Sequence, residues 1–83
     1  MKVRYFAWMK RTVGVSEEEV TPPDAVATVG DLVTWLRTRS SGHAEALSEG
    51  AAFGAAVDQR TATFDVKLAD AREVAFFPPF TGG

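Results

Sequence analysis

Apolar and polar positions alternate at the start of the chain. Met1, Val3, Tyr5 and Ala7 share one side of an extended backbone, and Lys2, Arg4, Phe6 and Trp8 share the other, a period of two that predicts a strand. The second side is charged first and aromatic later. Residues 9–13 predict a short helical turn or loop, stopped at Gly14. Residues 15–21 predict a short polar strand with Glu17, Glu18 and Glu19 on an exposed edge, broken by Pro22-Pro23-Asp24. The spacing then changes. Val29, Leu32, Val33 and Leu36 fall at i, i+3, i+4 and i+7, flanked by Trp35, and predict a helix over 29–38. Thr28 is placed to cap it, with Asp31 three residues on. Ser40-Ser41-Gly42 ends this helix, and 43–47 predicts one further helical turn closed by Gly50. Residues 53–57 predict a buried strand, 58–60 a turn, and 61–64 an extension of that strand. Leu68 to Arg72 is a connection, and 73–77 is a final β-branched and aromatic strand stopped by Pro78-Pro79.

The order along the chain is therefore ββαββ. Such a set buries a core when the helix lays its apolar stripe on one face of a mixed sheet, an α+β architecture. The first and last strands, if paired, run parallel, because the chain between them makes a long crossover.

The 83 residues allow one small domain, with roughly 60% of the unfolded surface buried on folding. With 46% apolar and 24% charged residues the composition is that of a globular chain. No apolar run approaches the roughly 20 residues needed to span a bilayer, and the charges of Lys2 and Arg4 make the start a strand rather than a secretory signal. The expectation is a soluble, cytoplasmic protein. A net charge of −2 with scattered basic residues points away from nucleic acid. Cysteine is absent, which removes disulfides, Cys-ligated zinc and thiol catalysis, and a single histidine, His43, removes a multi-His metal site. No metal and no bound cofactor are expected.

Candidate chemistry concentrates at the C-terminal stretch, Pro78-Pro79-Phe80-Thr81-Gly82-Gly83. Glycine lacks a Cβ, so a Gly-Gly end can thread a slot that excludes side chains. Phe76, Phe77 and Phe80 bracket the prolines, which is unusually apolar for an idle end. Residues 78–83 reach roughly 20 Å when extended, and are read as a flexible tail on a body formed by 1–77. If Val3, Tyr5, Val74 and Phe76 face the helix, then Phe6 and Phe77 face away from it and form an apolar patch beside the tail, a candidate partner surface. Lys10 and Arg11 are read as solvated, His43 as a surface or capping histidine, and Asp58, Asp65 and Asp70 as turn residues.

The segment Glu73-Val74-Ala75-Phe76-Phe77-Pro78-Pro79-Phe80-Thr81-Gly82-Gly83 closely resembles the C-terminus of the small, sulfur-carrying subunits of molybdopterin synthases. The run from Lys2 to Ala7 on to Gly14, Thr28-Val29, and Ala56-Val57-Asp58-Gln59 are similar to that family too. The resemblance implies a β-grasp, ubiquitin-like fold. It implies that a ubiquitin-activating-like adenylyltransferase uses ATP to adenylate Gly83, that a sulfurtransferase system converts the acyl adenylate to a thiocarboxylate, and that the tail with Gly82 enters the large synthase subunit. There the sulfur passes to a cyclic pyranopterin precursor during molybdenum cofactor biosynthesis. The implied assembly is a heterotetramer in which this chain is a co-substrate rather than the catalyst; the tail residues Pro78, Pro79, Phe80 and Thr81 are expected partner contacts, beside the Phe6 and Phe77 patch read from the strand alternation. The chain departs from the family at Lys10-Arg11, where Arg-Glu is common, at Asp58, often Asn, and at Asp70-Ala71-Arg72, where the turn usually contains glycine. The alternatives are a ubiquitin-like protein modifier, a thiazole-pathway sulfur carrier, and a β-grasp adaptor with an idle tail.

Overall fold

The initial alternation is realised as β1 (Lys2–Tyr5), which buries Val3 and Tyr5 and leaves Lys2 exposed. The computed structural model describes residues 1–79, so the expectations on Phe80, Thr81, Gly82 and Gly83 lie outside the described residues. After β1 come α1 (Trp8–Val13), β2 (Glu17–Glu19), α2 (Val29–Arg37), α3 (Ser41–Ala46), β3 (Gly54–Val57), β4 (Arg60–Ala62) and β5 (Glu73–Phe77). The sheet order is β2-β1-β5-β3-β4. β1 and β5 pair in parallel at its centre, as the long crossover between them permits, and the other pairs are antiparallel. This mixed sheet clasping a helix is the β-grasp arrangement.

Two expectations are corrected. The sheet has five strands rather than four, because residues 60–62 turn back on β3 instead of extending it. The reversal occurs at Asp58 and Gln59, with φ of 47° and 70°. Two successive left-handed residues make the tight hairpin turn whose twist matches the strands it joins. Asp58 holds the turn in place, its Oδ1 accepting from the backbone N–H of Arg72 at 2.9 Å and of Glu73 at 3.0 Å. The main helix also ends at Arg37, with Thr38 as its cap rather than its last residue. In the connection before β5, the N–H of Ala71 donates to the carbonyl of Leu68 at 2.7 Å around Ala69, at φ 44°.

The helix start follows the sequence signal. The Thr28 hydroxyl accepts from the Asp31 N–H at 3.1 Å, and the Asp31 carboxylate accepts from the N–H of Thr28 at 3.2 Å, completing a capping box. Val29, Leu32, Val33 and Leu36 are buried, with Val3, Tyr5, Val74 and Phe76 from the central strands in the same core. The first and third helices pack closely, with Gly42 at their contact: a Cβ there would lie 2.5 Å from the Thr12 carbonyl oxygen. Backbone cannot rotate away from such a clash. Gly42→Ala is therefore expected to destabilise the fold by about 2 kcal/mol, a loss of roughly 8–16 °C in Tm for a domain of this size. A thermal melt matching wild type would contradict this packing.

Candidate functional site

The parallel pairing decides where the site forms. β1 and β5 lie side by side and leave the sheet at the same end. Phe6 follows β1 directly and Phe77 is the last residue of β5. The N–H of Phe6 donates to the carbonyl of Phe76 at 3.1 Å, continuing the ladder one step beyond β1. Pro78 and Pro79 have no N–H and cannot extend it. Phe6, Ala7, Phe77, Pro78 and Pro79 line an open groove of about 530 Å³. Phe6 is 40% exposed, Phe77 and Pro78 are half-buried, and Pro79 is exposed. The groove is apolar along its described lining, and no charged side chain lines it.

The two rings are held from beneath and beside. The Arg4 guanidinium lies 5.1 Å from the centre of the Phe6 ring and 3.8 Å from the Glu73 carboxylate. Phe77 pairs across the strands with Gly54, and its ring lies over that glycine: a Cβ there would lie 2.7 Å from Cε1 and 3.1 Å from Cζ of Phe77. On the far wall the chain reverses at Ala7. The Met9 N–H donates to the Phe6 carbonyl at 3.1 Å, and Ala7 takes φ 54° and ψ −133°. These are the values of the first central residue of a type II′ turn, a position dominated by glycine. A residue with a Cβ is held there at a cost of about 1–3 kcal/mol.

The structure thus brings Phe6, Phe77, Pro78 and Pro79 together, while the positions 80–83 named with them lie outside the described residues. Lys10 and Arg11 are exposed on α1. Glu17 pairs with Lys2 at 3.5 Å, and Glu19 with the N-terminal amine at 3.7 Å; both are surface contacts of small energetic weight.

His43 and Glu18 are not the surface residues their sequence contexts indicate. His43 is 7% exposed. Its Nε2 lies 2.7 Å from Oε2 of Glu18, and its Nδ1 lies 2.7 Å from Oγ of Ser40, which also accepts the His43 backbone N–H at 3.1 Å. The Tyr5 hydroxyl donates to the same Glu18 oxygen at 2.7 Å, and Arg39 approaches the other at 3.9 Å. Glu18 stands opposite Val3 in the register, which puts its side chain on the helix side of the sheet rather than in open solvent. The group fastens β1, β2 and α3 together. None of the groove's lining residues belongs to it.

Burial alone would raise the Glu18 carboxyl, but hydrogen bonds from His43 and Tyr5 and the nearby charges of His43 and Arg39 together hold it below its ordinary 4.5. Burial, and then the carboxylate it donates to, push the Tyr5 phenol far upward, so it remains a donor. A carboxyl depressed by folding stabilises the fold above its ordinary value and loses that contribution as pH falls through the depressed one. Glu18→Gln is therefore expected to be less stable than wild type at neutral pH, with the difference shrinking below pH 4.5. Urea unfolding at stepped pH checks this, and a gap that stays constant down to strong acid would contradict it.

Among the described residues no cluster of three or more His, Asp or Glu is placed to hold a metal ion, and no helix is long and apolar enough to cross a membrane.

A profile of the ThiS family matches residues 3–83, which takes in the groove and the Gly-Gly end. The chain belongs to the ThiS family. Over 83 residues it is 41% identical to the molybdopterin synthase sulfur carrier subunit of Escherichia coli K12, covering 100% of this chain and 99% of that protein. Among solved structures, the Pyrococcus furiosus protein assigned as molybdopterin converting factor subunit 1 superposes with a TM-score of 0.75 at 33% identity, over 95% of each chain. SAMP1 from Haloferax volcanii superposes with a TM-score of 0.72 at 26% identity, over 100% of this chain and 98% of that one. Both solved structures share the fold of this chain.

Proposed function

We propose that this chain is the sulfur-carrier subunit of a molybdopterin synthase, with Gly83 as the group that carries sulfur. The observation that supports it most is the 41% identity to the Escherichia coli carrier over the whole length, which includes the groove and the Gly-Gly end. The body, residues 1–77, docks on the large synthase subunit through Phe6 and Phe77. Residues 78–83 form the inserted arm, with Pro78 and Pro79 setting its exit from the sheet, Phe80 and Thr81 contacting the channel, and Gly82 passing where a Cβ would not.

The chemistry requires activation from outside. A carboxylate is a poor electrophile until its oxygen leaves as part of a better leaving group. An adenylyltransferase of the ubiquitin-activating type uses ATP to form the Gly83 acyl adenylate and releases pyrophosphate. The persulfide of a sulfurtransferase then attacks the acyl carbon and AMP departs; a thiol reduces the resulting acyl disulfide by forming a disulfide of its own, and a thiocarboxylate remains. In the large subunit the thiocarboxylate sulfur forms a bond to a carbon of the pyranopterin precursor as an oxygen substituent leaves that carbon, and water hydrolyses the acyl–sulfur bond to restore the carboxylate. A chain without cysteine is thereby a sulfur donor. Acid and base groups come from the large subunit. The arm leaves from the groove, so docking and delivery are continuous.

The test is a single turnover with purified components. Thiocarboxylated carrier mixed with large subunit and precursor is expected to yield molybdopterin while the carrier returns to the free acid. No product from the loaded carrier would overturn the assignment. Covalent conjugates to protein lysines in its place would assign the chain as a modifier.

A further inference from the structure

Two residues beside the groove are the reverse of what backbone energetics favour. Ala7 sits in a turn conformation that glycine adopts freely, and Gly54 is the first residue of β3, paired with Phe77, in a class of position where glycine is depleted. Exchanging the two types would suit the backbone at both positions, at Gly54 only with the Phe77 ring displaced. Both odd choices meet at one place: Ala7 lines the groove, and Gly54 lies under the Phe77 ring that forms its other wall. We infer that Ala7 and Gly54 are positioning and specificity residues for the docking of the large subunit, each retained at a cost in stability to fix the groove's shape. This rests on the proposed reading of the chain as a carrier.

The two act differently. The Ala7 methyl is part of the wall, and its Cβ confines the turn that carries Phe6 away from β1. A glycine there leaves the wall bare and the turn free to wander. Gly54 acts through Phe77. Its missing side chain lets the ring lie down on the strand, and a Cβ 2.7 Å from Cε1 would lift it. The ring is the far end of a rotatable side chain, so it swings toward the groove rather than breaking the sheet. The fold tolerates the change while the surface offered to the partner does not. Strain and poor propensity kept at a surface groove, where relief is one substitution away, is the pattern of a site shaped for recognition.

The experiment compares full-length wild type, Ala7→Gly, Gly54→Ala, Ala7→Ser and Phe77→Asp by thermal unfolding and by calorimetric titration with the large subunit. Ala7→Gly and Gly54→Ala are expected to melt at or above the wild-type Tm yet bind about tenfold more weakly, about 1.4 kcal/mol. Ala7→Ser, which keeps a Cβ, is expected to bind more tightly than Ala7→Gly. In the free protein, the Phe77 ring proton shifts are expected to move in Gly54→Ala. Affinities within about twofold of wild type for both variants, while Phe77→Asp weakens binding, would overturn this inference alone and leave the carrier reading standing. Loss of affinity accompanied by a lower Tm, or unmoved Phe77 ring shifts in Gly54→Ala, would assign the residues a structural role and also overturn it. A wild-type chain that fails to bind the large subunit would overturn the carrier reading and this inference together.

Discussion

Deleting Gly83, or replacing Gly82 by alanine, is expected to lower molybdopterin formation by more than about 100-fold, at least 2.7 kcal/mol of lost transition-state stabilisation. The same variants are expected to unfold at the wild-type temperature. Their separation of activity from stability follows from where the core lies. Among the described residues, the fully buried large side chains run from Val3 to Phe76, and none lies beyond that point. The shortened chain ends at Gly82, so any sulfur loaded there stops one residue, roughly 3.3 Å, short of its target. The alanine adds a Cβ to a segment proposed to pass a tight channel and narrows its backbone choices. Molybdopterin fluorescence in the reconstituted system, read beside a thermal melt, measures both quantities. Wild-type product yield from either variant would refute the role given to this end. A lowered Tm would show that the segment also supports the body.

Phe77→Asp is expected to weaken binding to the large subunit by about 3 kcal/mol, more than 100-fold in Kd. The ring supplies one wall of an apolar groove and is half-buried before any partner arrives. Its removal forfeits the apolar area, and a carboxylate in its place would be stripped of water without a counter-charge in the groove. The ring faces away from the helix-covered side, so the isolated variant is expected to fold. Titration calorimetry checks the affinity, and circular dichroism checks the fold. An affinity unchanged by this substitution would move the docking surface elsewhere.

Much of this could be read in the amino-acid order. Alternation in Lys2–Tyr5 and the stripe of Val29, Leu32, Val33 and Leu36 fix which sides are buried, and the long connection from the first strand to the last allows the two to pair in parallel. Parallel pairing in turn puts Phe6 and Phe77 at one end of the sheet, so the groove was implied by local patterns alone. Three features were not legible, for different reasons. The β4 hairpin turns on Asp58 and Gln59 in left-handed conformations, without the glycine that ordinarily signals such a turn. Glu18, His43 and Tyr5 meet across 13 and 25 positions of sequence, and nothing local marks a histidine whose partner is on a distant strand. The unusual state of Ala7 is visible only as a backbone angle, and that of Gly54 only as the ring lying against it. The single available clue to His43 was its place three residues after Ser40, a capping residue whose hydroxyl is within reach of the ring.

The account turns on sulfur being carried at the last carbonyl, and intact-protein mass spectrometry reads this directly. After incubation with the adenylyltransferase, ATP and a sulfur donor, the chain is expected to gain about 16 Da, the exchange of one oxygen for sulfur, confined to the C-terminal peptide and lost again on reaction with large subunit and precursor. A mass that never changes under those conditions, or a gain that maps to any residue other than Gly83, would contradict it.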